Sequence, residues 1–123
     1  MNRHALCITI AAVGLAASAA HAQDARRGQK LFGECAACHS LEPNANAVGP
    51  DLHGIFGRAA AAGNEFRYSP ALKRSGITWT AQTLDAFIAD PQAVVPGNRM
   101  PFSGMPDAGE RADLIRYLQQ AFK

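Results

Sequence analysis

Two cysteines and a histidine stand close together in the run Cys35-Ala36-Ala37-Cys38-His39. Thiols at this spacing lie on one helical turn and can each form a thioether to a vinyl group on one edge of a porphyrin. The imidazole that follows is then placed to bind the iron, so the pattern is typical of covalent haem attachment. We therefore expect one haem c, attached through Cys35 and Cys38, with His39 as an iron ligand.

Two other kinds of site use paired cysteines. A thioredoxin-like dithiol needs a preceding strand within a βαβ unit, and the sequence has no convincing strand pattern. A zinc site needs a second cysteine pair or a pair of histidines, which the sequence also lacks. Both alternatives are therefore disfavoured.

A low-spin electron carrier needs a second axial ligand, for which the candidates are Met100, Met105 and His53. Both methionines fall in a segment punctuated by prolines, and His53 falls in a turn. A loop methionine is more often a packing residue than a ligand, so the residues alone leave this choice open.

The first 22 residues differ from the rest of the chain. Arg3 precedes a 12-residue run rich in alanine, and Ala20-His21-Ala22 forms a small-x-small cleavage site. This arrangement is typical of a secretory signal peptide, and the run is too short to span a bilayer. We expect residues 1–22 to be removed after Ala22 during export across a bacterial inner membrane, leaving a soluble periplasmic domain of residues 23–123.

A length of 123 residues predicts one domain and excludes a multidomain enzyme. Near 100 residues, roughly 60–65% of the unfolded surface can be buried, so the core of the mature domain is marginal. A large apolar prosthetic group would complete it.

The pattern of apolar residues predicts an all-α fold of three to five short helices whose long loops wrap around the haem. Helices are expected at residues 25–34, from Ser69 as N-cap to Gly76, at residues 80–89, and from Asp107 to the end of the chain. Prolines at 91, 96, 101 and 106 are expected to exclude a regular helix between these last two.

From Gly28 to about Phe122 the sequence resembles the class I c-type cytochromes, and more narrowly the bacterial relatives of mitochondrial cytochrome c. The resemblance rests on a series of ordered motifs: Gly28-x-x-x-Phe32, Cys35-x-x-Cys38-His39, Gly49-Pro50-x-Leu52-His53-Gly54, Phe56-Gly57-Arg58, Phe66-x-Tyr68-Ser69, Gly76-Ile77-Thr78-Trp79, Val95-Pro96-Gly97-x-Arg99-Met100 and Arg111-Ala112-Asp113-Leu114-Ile115-x-Tyr117-Leu118.

The resemblance implies roles for individual positions. Met100 matches the family's axial methionine, whereas Met105 matches a packing position. Pro50 matches the proline whose carbonyl accepts a hydrogen bond from the proximal imidazole. Residues matching those around the haem propionates are Arg58, Tyr68 and Trp79.

Three positions depart from the family pattern. Phe87 stands where the family often has a tyrosine near the methionine sulfur, Leu72 replaces an asparagine of the haem pocket, and Asn98 replaces a threonine. These departures predict a drier pocket with a thinner polar network and no phenol donor to the sulfur.

The resemblance implies one-electron, outer-sphere transfer by a monomeric carrier with neither nucleic-acid binding nor membrane insertion. The implied partners are a donor of the quinol–cytochrome c reductase type and an oxidase, reaction centre or dehydrogenase. A haem enzyme or sensor, such as a peroxidase or gas binder, is the alternative if Met100 is labile.

The charge balance limits how strongly such partners are steered. Without Arg3 the chain has 11 lysines and arginines against 10 aspartates and glutamates, a net charge of +1. Charges that could form part of a basic docking patch are Lys30, Lys73, Lys123 and the arginines at 26, 27, 67, 74 and 99. The same charges could equally be ordinary solvated surface.

Overall fold

The computed structural model describes residues 24–63 and 65–122. The predicted signal peptide and its cleavage site lie outside these residues. The described part contains six helices, of which two are single turns: α1 Ala25–Leu31, α2 Gly33–Ala36, α3 Pro70–Arg74, α4 Ala81–Ala89, α5 Pro91–Val94 and α6 Ala108–Ala121.

Side-chain caps explain where the longer helices begin. The Asp24 carboxylate accepts from the backbone N–H groups of Arg26 and Arg27 at the start of α1. Thr80 and Thr83 form a reciprocal capping box at α4. Asp107 accepts from the N–H of Glu110 at 2.8 Å and begins α6. Each cap satisfies a donor that the first turn leaves unpaired.

The proline-rich segment contains a helix that the sequence prediction excluded. Pro91 is the first residue of α5, where its missing N–H costs nothing and its fixed φ suits the helix. The Asp90 carboxylate accepts from the N–H of Ala93 at 3.1 Å and caps this turn. The expectation that the prolines exclude a regular helix here was therefore wrong at Pro91, because a proline can begin a helical turn.

Helices α1 and α6 cross at Gly28. A Cβ atom at this position would collide with the backbone carbonyl of Asp113 and lie 2.8 Å from Cβ of Tyr117. The rings of Phe32 and Tyr117 pack beside the crossing, with their centroids 5.6 Å apart. The first and last helices thereby pack directly against each other.

Two apolar clusters form the core. The first consists of Ile55, Trp79, Leu84, Phe87, Val95 and Ile115. The second consists of Phe32, Met105, Leu114 and Leu118. Leu52, Phe56 and Ile88 pack against both clusters and so join them.

The loops have little regular structure of their own. Among residues 24–63 and 65–122 there is no strand, only an isolated antiparallel bridge between Ala59 and Thr78. No helix in this part of the chain is long and apolar enough to cross a membrane. The fold is all-α, as the sequence predicted.

Candidate haem site

The cysteine motif lies on a helical turn at the end of α2. The N–H groups of Cys38 and His39 both donate to the carbonyl of Cys35, at 3.0 and 2.9 Å. Both thiols are free and partly buried. These hydrogen bonds therefore keep the backbone of Cys35, Cys38 and His39 in one short helical turn.

One nitrogen of the His39 imidazole is already hydrogen-bonded to the backbone. Its Nδ1 lies 2.7 Å from the carbonyl oxygen of Pro50. A carbonyl can only accept, so Nδ1 carries the proton and Nε2 is the nitrogen that can bind a metal. A Cβ atom at Gly49 would lie 2.6 Å from Cε1 of His39, so the ring lies directly over a backbone without a side chain.

The surroundings of Cys35 disfavour its thiolate. Burial raises the pKa of the Cys35 thiol to about 11, and the nearby charge of Glu34 acts in the same direction. Cys35 also packs against the second apolar cluster. The thiol thus points toward apolar surroundings, which suit the edge of a porphyrin.

Arg58 links two turns of the loop that follows His39. Its guanidinium donates to the carbonyls of His53 and Asp51, at 2.9 and 2.8 Å, and lies 3.6 Å from the Asp51 carboxylate. Trp79 is joined to the same loop, since its backbone N–H donates to the Arg58 carbonyl at 2.9 Å. The structure therefore brings Arg58 and Trp79 together.

Tyr68 is buried near the same guanidinium. Burial raises the pKa of the Tyr68 phenol, and the positive charge of Arg58 lowers it by a smaller amount. The ring of Phe66 packs edge-on against Tyr68, with centroids 4.9 Å apart. Arg58, Tyr68 and Trp79 thus lie in one region of the structure.

The three candidates for the second ligand lie in different environments. Met105 is only 4% exposed and belongs to the second cluster, among Phe32, Leu114 and Leu118. Met100 is partly buried against the first cluster. His53 is exposed, and its Nδ1 lies 3.2 Å from the carbonyl of Leu41. Packing fully accounts for Met105, which leaves Met100 as the better candidate.

A buried amide beside Met100 was missed by the sequence analysis. The side chain of Asn98 accepts from the N–H of Met100 at 2.9 Å and donates to the carbonyls of Pro91 and Val95. The only signal for it was the replacement of the family's threonine. That replacement was expected to leave fewer polar contacts in the haem pocket. The Asn98 side chain instead makes three hydrogen bonds to the backbone.

These features fit a covalent haem. Two free thiols share one turn with an imidazole whose Nδ1 is already engaged, and Gly49 leaves room for that ring. Over the described ranges, no group of three or more His, Cys, Asp or Glu side chains is arranged to hold a metal ion. Cys35, Cys38 and His39 thus do not converge in the way that zinc ligands do.

The family model for cytochrome c matches residues 25–122. The chain belongs to the cytochrome c family. It is 48% identical over 109 residues to cytochrome c2 of Blastochloris viridis, covering 86% of each chain. It is 45% identical over 100 residues to cytochrome c2 of Rhodoblastus acidophilus, covering 80% of this chain and 94% of the relative.

A solved structure agrees with these relatives. The structure of cytochrome cH from Methylobacterium extorquens superposes with a TM-score of 0.74 at 43% identity, covering 79% of this chain and 98% of that one. As a cytochrome c, the protein binds one covalent haem c and is an electron carrier, not an enzyme. The predicted family, fold and cofactor are thereby confirmed.

Proposed function

We propose that this cytochrome c is a periplasmic carrier in which Cys35 and Cys38 would hold the haem covalently and His39 and Met100 would bind its iron. When bound, the haem supplies one-electron cycling between Fe(II) and Fe(III). The observation that carries the proposal is the contact between Nδ1 of His39 and the carbonyl of Pro50, which leaves Nε2 for the iron.

The chain's own residues would then do three things. The Pro50 carbonyl fixes the His39 ring and makes it a more basic ligand. Arg58, Tyr68 and Trp79 would donate hydrogen bonds to the haem propionates, whose burial would otherwise cost several kcal/mol. A thioether ligand from Met100 raises the reduction potential.

Periplasmic location is supported by the signal-peptide pattern of residues 1–22 and by the bacterial cytochrome c2 relatives. The test is to express the full chain, release the periplasm by osmotic shock and sequence the N-terminus of the red protein. We expect the haem protein in the shock fluid, beginning at Gln23. Haem protein confined to the membrane fraction with an intact N-terminus contradicts the proposal.

The proposed partners are a quinol–cytochrome c reductase as donor and an oxidase, reaction centre or dehydrogenase as the other partner. Reduced protein mixed with membranes of the source bacterium should be reoxidised at a rate proportional to the concentration of one membrane complex. The donor is tested by adding quinol to the same membranes and following reduction of the ferric protein. Failure of both reactions, with the haem intact, contradicts the partner assignment.

A haem enzyme or sensor, the alternative raised in the sequence analysis, is disfavoured by membership of the cytochrome c family. It requires a labile sixth ligand, so the ferric protein would have a high-spin spectrum and bind small ligands readily. A ferric protein with a low-spin spectrum and a sulfur-to-iron band in the near infrared supports the carrier.

A further inference from the structure

The segment that carries Met100 is held by a buried side-chain amide. Asn98 is 8% exposed, and its Nδ2 donates to the carbonyls of Pro91 and Val95, each at 2.9 Å. Its Oδ1 accepts from the N–H of Met100 at 2.9 Å. One amide thus joins both ends of α5 to the backbone of Met100.

A second amide supports the same segment from outside. Nε2 of Gln92 donates to the carbonyl of Asn98 at 3.0 Å, and its Oε1 accepts from the N–H of Gly97 at 3.1 Å. Between α5 and α6 the described chain has no helix or strand, so these side-chain bonds add to a few backbone bonds, among them those from the N–H of Asn98 to the Val95 carbonyl and from the N–H of Phe102 to the Met100 carbonyl. The position of the Met100 backbone therefore depends on Asn98 and Gln92.

A shift of the Met100 backbone would break its hydrogen bond to Asn98. The N–H of Met100 would leave Oδ1 of Asn98, and that oxygen would stay in a buried site without its donor. Leaving a buried polar atom unpaired costs more than the hydrogen bond itself contributes. Phe87, a member of the adjoining cluster that stands where the family often has a tyrosine, has no donor that could hold the sulfur instead.

We infer that Asn98 is a positioning residue that keeps Met100 on the iron and limits its exchange for external ligands. The inference rests on the proposed ligation by Met100. Asn98 holds the backbone N–H of Met100, and Gln92 in turn binds the backbone carbonyl of Asn98. Neither residue touches the iron.

The test measures imidazole binding to the ferric holoprotein, because imidazole can bind only where Met100 has left. Asn98→Ala should bind imidazole about five- to tenfold more tightly than wild type, since one hydrogen bond contributes about 1 kcal/mol and 1.4 kcal/mol is tenfold. Gln92→Ala, at an exposed position, should show a smaller increase. Asn98→Ser keeps a short acceptor for Met100 and should fall between wild type and Asn98→Ala.

Asp107→Ala is the matched control. It removes one side-chain contact to a backbone N–H, at the start of α6, and lowers stability without touching the methionine segment. Its imidazole affinity should equal that of wild type. Equal affinities in wild type, Gln92→Ala and the Asn98 variants overturn the inference while leaving Met100 as the ligand. Absence of the sulfur-to-iron band in ferric wild type overturns the proposed ligation, and the inference with it.

Discussion

The imidazole of His39 and the carbonyl of Pro50 are joined by a 2.7 Å hydrogen bond across eleven residues of sequence. Gly49, immediately before Pro50, brings its backbone against the face of the same ring. The loop that follows the cysteine motif therefore fixes both the tautomer and the orientation of the imidazole.

Gly49→Ala tests this relationship. The new Cβ would lie 2.6 Å from Cε1 and 2.8 Å from Nδ1 of His39, so the ring or the loop must shift. We expect a loss of about 1–3 kcal/mol in the free energy of unfolding, as for other overpacked sites. The visible spectrum of the haem protein should change as well. Gly28→Ala serves as a control that is destabilised without a spectral change, and an unaltered spectrum in Gly49→Ala contradicts the role of this loop.

Gly28→Ala tests the crossing of α1 and α6. Its Cβ would strike the backbone carbonyl of Asp113, which cannot rotate away as a side chain could. Denaturant unfolding should show a loss of about 1–3 kcal/mol. Gly33→Ala is the matched control, because nothing lies within 4 Å of its Cβ, and its stability should stay within about 0.5 kcal/mol of wild type. Equal stability of the two variants would rule out a tight crossing.

Ala61 has a φ of 61°, in the left-handed region. That conformation costs a residue with a Cβ roughly 1–2 kcal/mol, which glycine avoids while losing more entropy on folding. Ala61→Gly should therefore raise the melting temperature, with a net gain of up to about 1 kcal/mol. Ala62→Gly, at a neighbour outside the left-handed region, should lower it. The reverse order of melting temperatures argues against the strained turn.

Tyr68 predicts a stability change at high pH. Burial raises the pKa of its phenol above the ordinary value of 10. The unfolded chain then releases this proton before the folded chain does, so the stabilisation is present below about pH 10 and is lost as the pH rises further. Between about pH 9 and about pH 11, the free energy of unfolding should fall less steeply in Tyr68→Phe than in wild type. Identical slopes in the two proteins contradict this assignment.

Docking should depend only modestly on salt. The net charge without Arg3 is +1, and Arg27 already lies 3.2 Å from Asp113 and 3.3 Å from Glu110. A net charge so close to zero gives little overall electrostatic steering of a partner. Stopped-flow electron transfer to an acidic partner should slow by less than about tenfold between low and physiological ionic strength. A fall by orders of magnitude would show a basic docking patch that this charge balance does not suggest.

Local sequence signals predicted much of this fold. The cysteine motif, the Ser69 and Asp107 caps, and the apolar face of α6 depend on neighbours within one or two turns, and the structure places them as expected. The packing role of Met105 was implied by the family resemblance, and Met105 is indeed buried in the second cluster.

Features that depend on the path of the loops were not predictable. Helix α5 is not one of these features, because Asp90 followed by Pro91 is the same local cap signal that predicted the helix at Ser69. Arg111 binds the Asp85 carboxylate and the carbonyls of Met105 and Pro106, which a sequence pattern does not bring together. The Asn98 network depends in the same way on where the chain turns.

The ligation by Met100 is tested most directly by the near-infrared spectrum of the ferric protein and two matched variants. We predict a sulfur-to-iron band in wild type and in Met105→Leu, and its loss in Met100→Leu. Loss of the band in Met105→Leu with retention in Met100→Leu, or a high-spin spectrum without the band in wild type, would contradict the account.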